Sequence, residues 1–504
     1  MSERRRNTLQ GIIFGYASLA IALARNVLLV PTYLRHIPLA AYGAWVATGG
    51  ALALILINDY GFSGVVMQRI SASHGARQFT AAGRLAGSAL AISGILAVVL
   101  SAISLALAPF LPAISQLAPA QHDEIIACFM LAVASNGLGV VGQSAISIIR
   151  SLQRAELAGA ITLCAEIANV TVIVAGLHLG YGLYSLAGGL VMRAVVLTLG
   201  GLGAVWPVTR GLGARIEVHV AEVRDLTAES LRFFLSSIAI KLISQANVLF
   251  VGMILGPAAA AVYSLTVRAY ETVVLLIGQI TGYLVAPITH LFGSGNRARF
   301  SAVIARVFVL LSALTSYALT LTVILNPAFL SLWVGARAFG GQAVSVLMGA
   351  AMLVCLVGGV AYDALLAQGR FSVITRYYAI ASVLQVAALL LLLRHGMWGA
   401  PLATLLTSGI WVRGFWARVA ETLGLEPGEW RRHAFAFARI VLISAALAWL
   451  FALLYPMPQS WGALLVEGIF AATCLAAAYL SISAGLRKVV YEELGITTRL
   501  FRPT

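Results

Sequence analysis

The sequence has 504 residues, 61% of them hydrophobic and 10% charged, with a mean hydropathy of +0.94 and a formal net charge of +15. A chain this apolar is excluded from the water-soluble globular class and has the composition of an all-α, polytopic membrane protein. Its basic residues are scattered between apolar runs instead of forming an arm or stripe, so a nucleic-acid partner is excluded as well.

The first run, GIIFGYASLAIALARNVLLVPTYL from Gly11 to Leu34, is long enough to cross a bilayer yet holds Arg25 and Asn26 in its interior. Thirteen more runs of about 20 residues follow. The fourteen expected spans cover approximately Leu9–Val30, Ala41–Asp59, Leu85–Phe110, Ile125–Ile149, Leu157–Leu177, Leu183–Trp206, Leu231–Leu255, Ala258–Ile288, Phe300–Leu325, Ala343–Leu366, Tyr377–Leu393, Trp398–Trp416, Phe435–Tyr455 and Trp461–Leu486. Prolines at the run ends, among them Pro31, Pro109, Pro207, Pro257 and Pro327, agree with this division.

The N-terminus, the even-numbered connections and the C-terminal tail hold 21 Arg and Lys residues, against three (Arg35, Arg337 and Arg394) in the odd-numbered connections. Positive loops stay in the cytoplasm, so both termini are expected there. Arg4–Arg6 followed by an apolar stretch and Ala22-Leu23-Ala24 have the form of a signal peptide. The run continues past Arg25, however, and an internal repeat crosses the would-be cut. A shift of 221 positions aligns Asn26, Val27, Leu28, Val30, Leu34, Ala40 and Tyr42 with Asn247, Val248, Leu249, Val251, Leu255, Ala261 and Tyr263. The first run is therefore expected to remain as a span.

The repeat pairs span one with span seven and divides the chain into two parallel six-helix lobes, residues 8–206 and 231–418. A cytoplasmic linker over 207–230 joins them, and an additional helix pair follows over 435–486. Transporters built this way commonly place the substrate between lobes near the midplane.

Most charges in the runs, including Arg306, Arg376, Arg413, Arg439, Asp59 and Asp363, lie near a span end, where snorkelling accounts for them. Glu166, Arg193, Lys241 and Arg268 are instead about ten residues or more from either end, and Glu271 is one turn from Arg268. Charges at that depth must face protein or water. Two readings stay open: internal ion pairs such as Glu166 with Arg193, or a cationic cavity. The surplus of positive charge favours the second, with Arg25, Asn26, Arg193, Lys241 and Arg268 as the binding set. Gly11, Gly15, Ser18 and Ala22 lead to Arg25 along one helix face, which suits either a tight helix contact or the wall of an anion site. Glu166 and Glu271 are the deep carboxylates available for ion coupling.

The four cysteines lie separately inside apolar runs, and the eight histidines lie at span ends or in connections without metal-ligand spacing. No nucleophile-plus-base arrangement is present in the sequence, so neither an enzyme, a cofactor nor a metal is expected.

The segment VPTYLRHIPLAAYGAW from Val30, NDYGF from Asn58 and NVLFVGMILGPAAAAVYSLTVRAYE from Asn247 resemble bacterial polysaccharide exporters of the O-antigen flippase type. These belong to the multidrug, oligosaccharidyl-lipid and polysaccharide exporter superfamily. The resemblance implies translocation of an undecaprenyl-pyrophosphate-linked oligosaccharide, as an O-antigen or exopolysaccharide repeat unit, across the inner membrane by alternating access. It implies cavity arginines in spans one and eight, here Arg25 and Arg268, with membrane lipid and polysaccharide polymerase or other assembly proteins as candidate partners. Two driving forces stay open: H+ or Na+ taken up by a deep carboxylate, Glu166 or Glu271, and the membrane potential acting without a coupled ion. Relatives commonly carry Asp where this chain has Asn247, a departure that leaves ion coupling at that position open. A multidrug antiporter of the same superfamily and a membrane-embedded polymerase or ligase are the competing functions. Cationic drugs would favour an acidic cavity, and the short outer connections leave little room for a catalytic loop.

Overall fold

A computed structural model describes residues 3–55, 62–110, 122–293, 297–423, 427–454 and 457–482. The described residues form α-helices joined by short turns and 3-10 segments, and no strand occurs among them. The protein is an all-α, multi-pass membrane protein.

In chain order the helices are α1 (Glu3–Leu28), α2 (Val30–His36), α3 (Leu39–Ile55), α4 (Phe62–Gly75), α5 (Phe79–Leu107), α6 (His122–Ser151), α7 (Ala155–His178), α8 (Leu183–Gly211), α9 (Val220–Leu255), α10 (Pro257–Gly293), α11 (Arg297–Trp333), α12 (Gln342–Ala367), α13 (Phe371–Leu392), α14 (Gly399–Leu423), α15 (Pro427–Leu454) and α16 (Trp461–Ile482). Where its residues are described, each of the fourteen apolar runs lies largely on these helices; residues 56–59 of the second run, 455 of the thirteenth and 483–486 of the last lie outside the described residues. Among the described residues nine helices are individually long and apolar enough to span, and α1 with α2 makes a tenth, broken by a 43° bend. The bend has a local cause: Pro31, at the start of α2, lacks the N–H that would bond to the Val27 carbonyl.

Several helices outrun their apolar cores. α8 continues past Pro207 to Gly211, and α11 past Pro327 to Trp333. α9 begins at Val220, so only residues 212–219 of the expected linker lie outside helices. α4 occupies part of a connection that hydropathy leaves as a basic loop, and its Val66 and Ile70, one turn apart, are buried.

The chain divides into two compact units, residues 1–261 and 262–504. In the first, α6 packs along α8, α8 along α7, and α7 against α1, while α9 packs on α3, α4 and α5. Its apolar core gathers Ile70, Leu85, Ile146, Ile149, Leu197 and Leu226 from α4, α5, α6, α8 and α9. The α6–α8 contact is close because it is made by small residues: a Cβ added to Gly142 would lie 2.8 Å from Thr198 Oγ1, which donates to the Leu138 carbonyl at 2.7 Å.

In the second unit α11 packs on α12, and α14 packs on α12 and α13. α15 and α16 lie on α11, where Ala313, Ile440, Leu475 and Tyr479 form an apolar cluster and Ser444 bonds to the Tyr479 hydroxyl. α5 to α8 begin at residues 79, 122, 155 and 183, and α11 to α14 at 297, 342, 371 and 399, a recurrence at 216–220 residues. That recurrence supports the proposal of two six-helix lobes. The packing division instead falls after α9, because that helix lies on α3, α4 and α5.

Candidate functional site

Three helices of the first unit bring polar groups together. α1 supplies Arg25 from its last turn, just before the bend; α7 supplies Glu166 and Asn169; α8 supplies Arg193. Glu166 and Asn169 are three residues apart and share a helix face. Both are buried, in the largely apolar middle of the helix.

The Arg193 Nε donates to Glu166 Oε1 at 2.5 Å. Arg25 Nη1 stands 3.9 Å from Glu166 Oε2, a buried oxygen that accepts no hydrogen bond. With its amide in the orientation that satisfies both of its polar atoms, Asn169 accepts from Arg25 Nη1 and donates to the Gly189 carbonyl at 3.1 Å. Gly189 makes room for this: a Cβ there would lie 2.5 Å from Ile173 Cγ1 and 2.6 Å from the Asn169 amide.

The side chains differ in exposure. Glu166 is 7% accessible, Arg25 20% and Arg193 37%. Two permanently charged guanidinium groups therefore converge on one carboxylate and leave a formal charge of +1. The inner part of the cluster is a structural clasp of three helices, and its arginine rim is open. Such an arrangement can hold an anion with oxygens matched to the guanidinium fork, either beside Glu166 or in its place.

The cluster joins three of the residues expected from the sequence, Arg25, Arg193 and Glu166. The ion-pair reading of Glu166 with Arg193 is thus realised, with Arg25 added to it. Arg268, on α10 in the second unit, pairs with Glu271 at 3.4 Å, and the glutamate is more than half exposed. Lys241 is half-buried on α9, a helix that packs chiefly on α3, and Asn26 is half-buried beside Arg25. Asn247, also on α9, is buried. Of the small-residue face before Arg25, Ser18 is buried with its hydroxyl on the Phe14 carbonyl, whereas a Cβ at Gly15 would meet nothing within 4 Å. Gly15 is therefore not a point of tight helix contact.

Sequence reasoning missed Asn169 and Gly189. The available signal was the i, i+3 spacing of Glu166 and Asn169 inside an apolar run.

The fold is similar to those of several solved transporters. The lipid II flippase MurJ, in an inward closed conformation, superposes with a TM-score of 0.67 at 11% identity, covering 93% of this chain and 99% of that one. An inward-facing multidrug resistance MATE family transporter of the MOP superfamily gives 0.64 at 14% identity, covering 85% and 97%. A MOP superfamily transporter from Pyrococcus furiosus, described as having a binding pocket of reverse polarity, gives 0.60 at 12% identity, covering 84% and 98%. A comparison with curated proteins yields no match. These likenesses show that the chain shares the fold of those proteins. Residues 12–289, more than half of the chain, match the profile of the polysaccharide biosynthesis protein family, and the chain belongs to that family.

Proposed function

We propose that this chain is a flippase that carries an undecaprenyl-pyrophosphate-linked oligosaccharide, an O-antigen or exopolysaccharide repeat unit, across the bacterial inner membrane by alternating access. Both termini face the cytoplasm in this reading, in keeping with the distribution of basic residues. The observation that carries it is the convergence of Arg25 and Arg193 on the single carboxylate of Glu166. A net positive, partly open cluster among spanning helices suits the pyrophosphate of a lipid-linked sugar. The same charge disfavours the cationic substrates of a multidrug antiporter, the second reading that the shared fold allows.

In this mechanism pyrophosphate competes with Glu166 for the arginines. Entry of the anion loosens α1 and α8 from α7, and its departure lets the clasp re-form, so loading and helix packing are linked. Asn26, Lys241 and Arg268 complete the proposed binding set, with Glu271 as the counter-ion of Arg268. Glu166 and Glu271 are the carboxylates assigned to any coupling with H+ or Na+.

Deleting the gene should trap lipid-linked repeat units on the cytoplasmic face of the membrane. Unchanged surface polysaccharide together with a new sensitivity to cationic drugs would assign the chain to drug export instead.

A further inference from the structure

His36 ends α2 and His178 ends α7, and their exposed rings approach to 6.0 Å between centroids at a tilt of 45°. In each ring Nδ1 lies within hydrogen-bonding distance of the carbonyl four residues earlier, Thr32 at 2.9 Å and Val174 at 2.8 Å. A carbonyl can only accept, so each neutral ring carries its proton on Nδ1 and presents the Nε2 lone pair. An Nδ1–H held by a backbone carbonyl is also the orienting contact of a metal-bound histidine. The flipping mechanism uses neither residue.

We propose that His36 and His178 form a two-imidazole site for one divalent transition-metal ion, bridging α2 to the C-terminal end of α7. Among the described residues no group of three or more His, Cys, Asp or Glu gathers for a metal, so the ion keeps open positions and binds exchangeably. Imidazole ligation suits zinc, nickel and copper, with copper tightest. The location gives the site a consequence. α2 follows the bend after α1, and the Arg25 cluster fastens α1 to α7 on the other side of that bend. A bound ion fastens α2 to the same helix and opposes any rearrangement that moves the two apart.

The test uses the full-length protein, purified in detergent without a polyhistidine tag and titrated calorimetrically with ZnCl2 and NiCl2. One ion per chain is expected, with affinity falling about ten-fold or more in both His36→Gln and His178→Gln. Copper(II) should show two coordinating nitrogens by paramagnetic resonance in the parent and one in each variant. Absence of saturable binding at millimolar metal, or binding in both variants as tight as in the parent, would overturn the proposal.

Discussion

Glu166 on α7 accepts the Arg193 Nε–H of α8 at 2.5 Å and stands 3.9 Å from the Arg25 guanidinium of α1. One carboxylate therefore closes a clasp of three helices and is outnumbered by the charges that it holds. Removing it alone leaves two guanidinium groups facing each other in a mostly apolar surrounding. Glu166→Gln should lower stability by about 3 kcal/mol, the low end for a broken buried pair because Arg193 is partly exposed. The Glu166→Gln/Arg193→Gln double variant should lose much less than the sum of the single losses, with a coupling of about 1–3 kcal/mol. Melting curves of the four proteins in one detergent measure this; strictly additive losses would remove the clasp from the account.

Arg25 separates anion binding from simple snorkelling. A flexible ammonium reaches an interface as well as a guanidinium does, but it lacks the planar fork that can exchange the Glu166 carboxylate for phosphate oxygens. Arg25→Lys should impair flipping while the protein still inserts and folds, and Arg25→Ala should impair it further. One lost charge-assisted contact is worth about 1.5–3 kcal/mol, or roughly ten- to a hundred-fold in affinity. The measurement is a flipping assay on reconstituted, equally folded variants. Full activity in the Ala variant would return Arg25 to a structural role and move the proposed site to Arg193, Lys241 and Arg268.

The spans were legible in the sequence because burying a polar backbone in lipid demands about twenty apolar residues in a row, and few other elements demand that. Helix ends were not legible. Past the hydrocarbon edge a helix can continue with polar residues, as α9 does from Val220 and α4 does through the basic connection. Glu166 and Arg193 stood out because charge inside an apolar run is costly enough to need a partner. That Arg25 would join them depends on α1 packing against α7, which hydropathy does not encode. Asn169 carried no such alarm, since an amide costs less to bury than a charge, and its role rests on a tertiary contact with Gly189.

Gly189 offers a test of positioning without touching a charge. Its missing side chain is the space into which the Asn169 amide and Ile173 fit, so Gly189→Ala forces one or both aside. The displaced amide no longer supports Arg25 Nη1. The expected result is a loss of about 1–3 kcal/mol in stability from overpacking, together with impaired flipping. Asn169→Ala/Gly189→Ala, which removes the amide that the new methyl strikes, should recover part of the stability but not the transport. Recovery of both would show that Asn169 only fills space.

The connection after α8 makes a further prediction, because its backbone is laid directly on α5. A Cβ at Gly83 would lie 2.2 Å from the Arg215 carbonyl oxygen, and one at Gly87 would lie 2.4 Å from that of Glu217. Ser88 Oγ, on the next residue, accepts from the His219 N–H at 3.1 Å and donates to its carbonyl at 3.4 Å. Arg69 of α4 then meets Glu222 at the start of α9, at 3.9 Å. Backbone cannot rotate out of the way of a new side chain as a flexible side chain can, so Gly87→Val should lift the strap off the helix, at a cost of about 1–3 kcal/mol. Ser88→Ala removes only the two hydrogen bonds and should cost about 1 kcal/mol. Gly94→Val is the control, since a Cβ at that position on the same helix meets nothing within 4 Å. Arg215 is exposed within the strap and supplies the readout. Tryptic cleavage after Arg215 should speed up strongly in Gly87→Val, slightly in Ser88→Ala and not at all in Gly94→Val. Equal cleavage in all three would mean that the connection is not held by this groove.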